Sequence, residues 1–175
     1  MARWACAELA DPHSAHVLIG GLGFGYTLRA ALDALPSTAR IMVAELIPAV
    51  VDWVRGPAAG LAGHPLYDPR VEVRLEDAFL VLRANPEEFG AMILDVDNNP
   101  DELVRPANAR FFTVAGLLSI KRALARDGVL AIWSANPAPA FEERLCRAEF
   151  VFAAREDRDL GHVVYLAHAS YPTAA

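Results

Sequence analysis

Four glycines between an apolar run and a predicted helix could bring the backbone close to a bound group. In "HVLIGGLGFGYTLRAAL" they are Gly20, Gly21, Gly23 and Gly25. Without a Cβ, such residues let the chain turn tightly and approach a ligand, and the following helix presents unpaired N–H groups. The spacing is G-x-G-x-G, because Tyr26 stands where the dinucleotide fingerprint requires its third glycine. This pattern favours an adenosyl sulfonium compound over a pyrophosphate.

Two acidic residues end predicted strands after this glycine turn. Glu45 closes the run in "IMVAELIP", and Asp77 follows the run in "VEVRLEDAF". In doubly wound sheets an acid at the first of these positions accepts hydrogen bonds from ribose hydroxyls. Asp77 is placed to accept from an adenine amino group, with the backbone N–H of Ala78 directed at the ring. The set predicts a nucleoside site; a solvated strand-end acid and a glycine turn needed only for packing are the alternatives.

A third polar segment follows the apolar run of "AMILDVDNNPDEL". Asp95 is the carboxyl-end residue of this predicted strand, and Asp97, Asn98 and Asn99 follow in a turn closed by Pro100. Polar side chains at the mouth of a crevice make a candidate reaction centre. For Asp97 and Asn99, turn capping before a proline is at least as good an interpretation.

The composition narrows the classes of partner. At 175 residues the chain is expected to form one domain. Its net charge of −6 argues against a nucleic acid and favours cationic small molecules. The absence of a signal peptide and of a long apolar run predicts a cytoplasmic protein. Its two cysteines are expected to stay reduced, and no metal site is predicted, because His13 and His16 lack further ligands.

Apolar runs rich in β-branched residues alternate with helical patterns along the chain. Strands are predicted over residues 16–19, 40–44, 71–75, 91–94, 129–133, 150–153 and 162–167. Helices are predicted over residues 26–35, 48–55, 79–84, 109–125 and 138–147. The alternation indicates parallel βαβ crossovers with helices on both faces of a sheet. No helix separates the last two strands, which predicts a hairpin and one antiparallel strand.

These elements predict a doubly wound, Rossmann-like α/β fold. The sheet is expected to hold about seven strands and to be mostly parallel, with an antiparallel last strand. Residues 16–170 are assigned to this domain, and residues 1–15 to an N-terminal extension without regular structure. Trp53 and Trp133 are assigned to the core, and Asp127-Gly128 is predicted to end the fourth helix.

Four segments, in this order, resemble the spermidine synthase family of aminopropyltransferases, which have the class I SAM-dependent methyltransferase fold. They are "VLIGGLGFGYTLRAAL", "VAELIPAVVDWVR", "DPRVEVRLEDAFLVL" and "FGAMILDVDNNP". The likeness extends from Val17 to Trp133. It implies a short member without the family's N-terminal β-hairpin domain, since only fifteen residues precede the first predicted strand.

The resemblance implies a role for each candidate residue. The glycine turn and Glu45 would hold the thioadenosine part of decarboxylated S-adenosylmethionine, and Asp77 its adenine. Asp95 would match the family's catalytic aspartate, which orients and helps to deprotonate the attacking amine. The family's turn reads D-S-S-D-P and is one residue shorter, so its second aspartate falls on Asn98 or shifts to Asp97.

The expected function is transfer of an aminopropyl group from an adenosyl sulfonium donor to an amine, in a possible homodimer. Decarboxylated S-adenosylmethionine or S-adenosylmethionine itself is the expected donor. One alternative is a small-molecule methyltransferase that uses S-adenosylmethionine. A second is a non-catalytic domain of the same fold that binds a nucleoside or serves assembly.

Overall fold

One seven-stranded sheet forms the centre of the protein. A computed structural model describes residues 1–96, 99–102, 105–157 and 161–170. The strands are β1 (His16–Gly20), β2 (Arg40–Ala44), β3 (Val71–Arg74), β4 (Phe89–Leu94), β5 (Leu124–Ser134), β6 (Phe150–Asp157) and β7 (His162–Ala169). Every predicted strand is present, and most extend a few residues beyond the predicted ends.

Helices cover both faces of the sheet. They are α1 (Ala2–Ala7), α2 (Tyr26–Ala34), α3 (Pro48–Arg55), α4 (Ala78–Ala84), α5 (Ala109–Phe112), α6 (Val114–Ala123) and α7 (Pro139–Arg147). One hydrophobic core lies between the sheet and α4 to α7. The other lies between the sheet and α1 to α3. Alternate residues of β1 enter opposite cores, Leu18 the first and Ile19 the second, as the two-residue period of a strand requires.

The strand order β3-β2-β1-β4-β5-β7-β6 confirms the predicted fold class. The chain adds β2 and β3 on one side of β1 and then returns to place β4 on the other. This reversal opens a crevice at the carboxyl ends of β1 and β4, where open α/β sheets bind ligands. Strand β7 is antiparallel to both neighbours, β5 and β6, as the hairpin prediction required.

The expectation that residues 1–15 lack regular structure is wrong. Helix α1 buries Ala2, Ala5 and Cys6 in the core that α2 and α3 also line. Burial raises the pKa of the Cys6 thiol to about 11, so this cysteine stays protonated. Helix α1 has only six residues, which is too short for a hydrophobic period to predict a helix.

The predicted helix over residues 109–125 is two helices. Thr113 is extended, with φ −78° and ψ 159°, and its hydroxyl accepts a hydrogen bond from the Gly116 N–H to cap α6. A threonine side chain competes in this way with the backbone bonds of a continuous helix. Strand β5 begins directly at Leu124, so Asp127-Gly128 lies within a strand and does not end a helix.

Trp53 was wrongly assigned to the core. The residue lies on α3 with 54% of its surface exposed. Trp133, by contrast, packs partly buried against the α1–α3 core. Among the described residues, no helix is long and apolar enough to cross a membrane.

Candidate active site

The glycine turn after β1 is held close to the end of β4. Gly21 has φ +89°, and a Cβ added there would lie 2.5 Å from the carbonyl oxygen of Asp95. Any side chain at this position would therefore push the two strands apart. Gly23 has φ +51°, but a Cβ there would meet no protein atom within 4 Å. The turn is thus tight on its inner side and open at its tip.

Gly20 and Gly25 are needed for close packing and do not form the open surface of the turn. A Cβ at Gly20 would lie 2.9 Å from the side chain of Leu94, and one at Gly25 would lie 2.9 Å from the ring of Pro65. Neither glycine lines the adjacent cavity. Of the four predicted glycines, the structure therefore brings Gly21 and Gly23 to the candidate site and places the other two behind it.

Glu45 is fastened to the glycine turn. Its Oε2 accepts a hydrogen bond from the Leu22 N–H at 2.9 Å, and its Oε1 accepts one from the Ile47 N–H at 2.8 Å. The residue is buried, with 8% of its surface exposed. An ionised carboxylate can accept about four hydrogen bonds, so each oxygen keeps capacity for one more donor. The arrangement suits a pair of adjacent hydroxyl groups.

Asp95 lies on the opposite side of the glycine turn, at the end of β4. Its N–H donates to the Gly20 carbonyl at 3.0 Å, which fixes its backbone. Its Oδ2 accepts a hydrogen bond from the Thr27 hydroxyl at 2.8 Å, and its side chain is exposed. Thr27 lies in the first turn of α2, so the helix that follows the glycines orients the carboxylate. Sequence reasoning missed Thr27, although its place after the turn was a usable signal.

Asp77 is engaged on both oxygens. Oδ1 accepts a hydrogen bond from the Phe79 N–H at 2.8 Å and so caps α4, while Oδ2 forms an ion pair with Nη2 of Arg110. The sequence suggested the position of Asp77 but not its partner. Arg110 lies 33 residues further along the chain, in a segment without any motif that would have indicated it.

A single cavity unites these groups. It has a volume of about 260 Å³, and the predicted site residues among its lining are Gly21, Gly23, Glu45, Asp77, Ala78 and Asp95. The wall also includes Asn108, Arg110 and Phe111, which sequence reasoning missed. The amide of Asn108 donates to the Val96 carbonyl at 2.7 Å and ties this wall to the end of β4.

The predicted residues Asp97 and Asn98 lie outside the described part of the chain. Asn99 is buried, and its Oδ1 accepts a hydrogen bond from the Asp101 N–H at 2.8 Å. Asp101 in turn accepts from the Ala140 N–H at the start of α7 and from Arg144. These contacts make Asp101 a structural anchor for the polar turn.

The described residues include no group of three or more His, Cys, Asp and Glu side chains that could hold a metal ion.

The strand order and the solved structures that superimpose on this chain define a class I methyltransferase-like fold. The structure of human methyltransferase-like protein 13 in complex with SAH superimposes with a TM-score of 0.73 and 20% identity, over 99% of this chain and 82% of that one. Spermidine synthase from Thermotoga maritima gives a TM-score of 0.67 and 19% identity, over 95% of this chain and 59% of that one. At these identities the likeness establishes the fold.

The sequence identifies the family within this fold. Residues 5–151 match the family described as the spermine/spermidine synthase domain. A polyamine aminopropyltransferase of Streptomyces coelicolor is 34% identical over 131 residues, which are 74% of this chain and 24% of the relative. The chain belongs to the spermine/spermidine synthase domain family. It spans less than half the length of the curated relatives that it matches.

Proposed function

We propose that this protein binds an adenosyl sulfonium donor in the cavity and transfers an aminopropyl group from it to an amine. The observation that carries the proposal is the placement of two carboxylates around one glycine turn. Glu45 is bonded to the turn at Leu22, and Asp95 faces the same cavity from the end of β4. The first suits a ribose, and the second suits a reacting nitrogen.

The cavity fits the nucleoside part of such a donor. Its volume of about 260 Å³ lies just under the lower end, about 300 Å³, of the range for small-molecule sites. The ribose hydroxyls would donate to the two Glu45 oxygens, and the backbone at Gly21 and Gly23 would pass beneath the sulfur end. The base would lie toward Asp77 and Ala78.

Asp95 is placed to receive the amine. A primary aliphatic amine has a pKa of about 10 and is mostly protonated at neutral pH. The Asp95 carboxylate would bind this cation, then accept its proton as the nitrogen attacks the carbon bonded to the sulfonium. A carbon–nitrogen bond forms, the carbon–sulfur bond breaks, and its electron pair returns to sulfur as an uncharged thioether. The hydrogen bond from the Thr27 hydroxyl would orient the carboxylate toward the attacking nitrogen.

Membership of the family and the activity named for the Streptomyces coelicolor relative support aminopropyl transfer to an amine acceptor. Methyl transfer from S-adenosylmethionine is the second candidate. It is supported by the shared fold and by the SAH bound in the human methyltransferase-like protein 13 structure. A non-catalytic nucleoside-binding domain is the third.

Calorimetric titration with both donors tests the proposal. We expect decarboxylated S-adenosylmethionine to bind more tightly than S-adenosylmethionine. Incubation with aliphatic diamines should then yield an aminopropylated amine and 5′-methylthioadenosine by mass spectrometry. Preference for the carboxylated donor, with methylated product, would support the second candidate. Binding of neither donor would contradict both transferase proposals.

A further inference from the structure

The base end of the cavity carries an ion pair between two of its wall residues. Oδ1 of Asp77 is committed to the Phe79 N–H, so Oδ2 is the oxygen that faces another group, and Nη2 of Arg110 bonds to it. Both residues line the cavity. The side chain of Asp77 is 17% exposed and that of Arg110 is 39% exposed. The wall thus presents a hydrogen-bond acceptor directly beside a donor.

Two aromatic rings hold the side chain of Arg110 in this position, and a hydrogen bond holds its backbone. The guanidinium carbon lies 5.3 Å from the ring centroid of Phe79 and 5.6 Å from that of Phe111, at distances where cation–π attraction acts. The backbone carbonyl of Arg110 accepts a hydrogen bond from the Thr113 hydroxyl at 3.2 Å. A Cβ at Gly116 would lie 1.7 Å from the same carbonyl oxygen, so only glycine allows α6 to pack there. The guanidinium is therefore a preorganised group.

We propose that Arg110 is a specificity-determining residue that reads the donor's purine base together with Asp77. The inference rests on the proposed function, because it assumes that an adenosyl group occupies the cavity. One edge of adenine carries an amino donor next to a ring-nitrogen acceptor. This pattern complements the carboxylate acceptor and guanidinium donor of the pair. Hypoxanthine has a carbonyl oxygen in place of the amino group, and that oxygen would face the carboxylate.

The pair and the base can occupy the site together. A carboxylate oxygen accepts more than one hydrogen bond, so Oδ2 of Asp77 can bind the adenine amino group while it keeps Arg110. The guanidinium has five N–H groups, and one of them is bonded to Asp77. Because the ion pair is neutral as a whole, the cationic end of the donor is drawn toward Glu45 and Asp95 instead.

Calorimetry with two uncharged nucleosides tests this inference without requiring turnover. The probes are 5′-methylthioadenosine and 5′-methylthioinosine, which differ at position 6 of the base. The variants are Arg110→Met, which removes the charge and the donors, and Arg110→Lys, which keeps the charge but lacks the planar fork. Arg83→Met is the matched control, because Arg83 is an exposed arginine of α4 that does not line the cavity. Thermal unfolding of each variant shows that the fold is retained.

We expect the wild-type protein and Arg83→Met to bind 5′-methylthioadenosine at least about tenfold more tightly than 5′-methylthioinosine. Arg110→Met should weaken 5′-methylthioadenosine about tenfold and reduce the preference to below about threefold, with Arg110→Lys between the two. If Arg110→Met does not fold, the Arg110→Lys result decides. Unchanged dissociation constants in the Arg110 variants, or equal binding of both probes by the wild type, would overturn the inference and leave donor binding intact. Binding of neither probe by the wild type would overturn the proposed function and the inference together.

Discussion

The two edges of the sheet both carry a cavity lined by charged residues, but they use those charges differently. At the amino edge the cavity is the larger, about 390 Å³ against about 260 Å³ at the carboxyl edge. Arg70 lines it, and its guanidinium bonds to both oxygens of Asp68 and to the carbonyls of Leu35 and Pro36. This arginine holds the end of α2 and β3 together.

Two further side chains that line this cavity, those of His16 and Arg40, lie beside the carboxylate of Glu88. Nδ1 of His16 lies 2.7 Å from Oε1 of Glu88, and Nη2 of Arg40 lies 3.5 Å from the same oxygen. These groups are matched to one another across the start of the sheet.

The carboxyl edge is different, because its carboxylates are anchored and still face the cavity. Glu45 is fixed by two backbone N–H groups and Asp95 by one hydroxyl, and each keeps the capacity to accept more. The candidate site is thus distinguished from the larger cavity by unused hydrogen-bonding capacity beside a close-approaching backbone, and not by its volume. Substitutions at the two edges should therefore separate binding from stability.

Asp95→Asn should give the largest effect of any substitution at the carboxyl edge. An amide cannot take up the proton of the amine, so turnover should fall by about 10²–10⁴-fold. Donor affinity should change little, because the ribose and base contacts remain. Initial rates and donor calorimetry measure the two quantities, with Asp52→Asn, an exposed acid of α3, as the control. Retained turnover would show that Asp95 is not the base.

Arg70→Met is the counterpart at the amino edge. It leaves a carboxylate and two carbonyls without their donor, and the free energy of unfolding should fall by about 2–4 kcal/mol. Arg74→Met removes an exposed arginine paired with Glu72 and should cost at most about 1 kcal/mol. Urea unfolding gives both values. Donor affinity should be unchanged, and a loss of affinity in folded Arg70→Met would break the distinction between the edges.

Glu45→Gln should weaken donor binding and also lower the free energy of unfolding. One carboxylate oxygen becomes an NH2 group, which cannot accept a hydrogen bond from a ribose hydroxyl or from the N–H of Leu22 or Ile47, so we expect about a tenfold rise in the dissociation constant. The exposed Glu72→Gln serves as the control and should bind the donor like the wild type. Equal donor affinity in wild type and Glu45→Gln would contradict the proposal that the ribose binds Glu45.

The pH dependence of stability should sharpen the description of the amino edge. Hydrogen bonds from the Arg70 side chain hold the pKa of Asp68 below its ordinary value of 3.8. Because this pKa is lowered in the folded state, the stabilisation that Asp68 contributes is present in full above this ordinary value and is lost as the pH falls through the folded pKa.

The difference in unfolding free energy between the wild type and Asp68→Asn measures this contribution. It should be constant from pH 7 down to about pH 5 and shrink below about pH 4. A difference that stays constant to pH 2 would contradict this linkage.

The location of the candidate site was predictable because its parts are local in sequence. Each strand has its own apolar run, and the glycine turn, Glu45, Asp77 and Asp95 each end one of those runs. In a parallel sheet all such ends lie at one edge. The positions of these residues therefore followed from the pattern before any contact was known.

What could not be predicted are the partners that the fold brings together. Thr27 and Asp95 are 68 residues apart, and Asp77 and Arg110 are 33 apart. Hydrophobic periodicity does not predict such a pair, because it describes local structure and not contacts between residues that are distant in sequence. The exposure of Trp53 was missed for a related reason, since it depends on which face of α3 another element covers.

The sequence by itself thus determined the fold class, the strands and the edge at which the chemistry is expected, because local hydrophobic periods and glycine spacing encode them. Only the tertiary structure decided which partner each carboxylate has. Glu45 is bound to the turn, Asp95 to a hydroxyl and Asp77 to a guanidinium. These assignments depend on distances between elements that are remote in sequence, and packing of the two cores sets those distances.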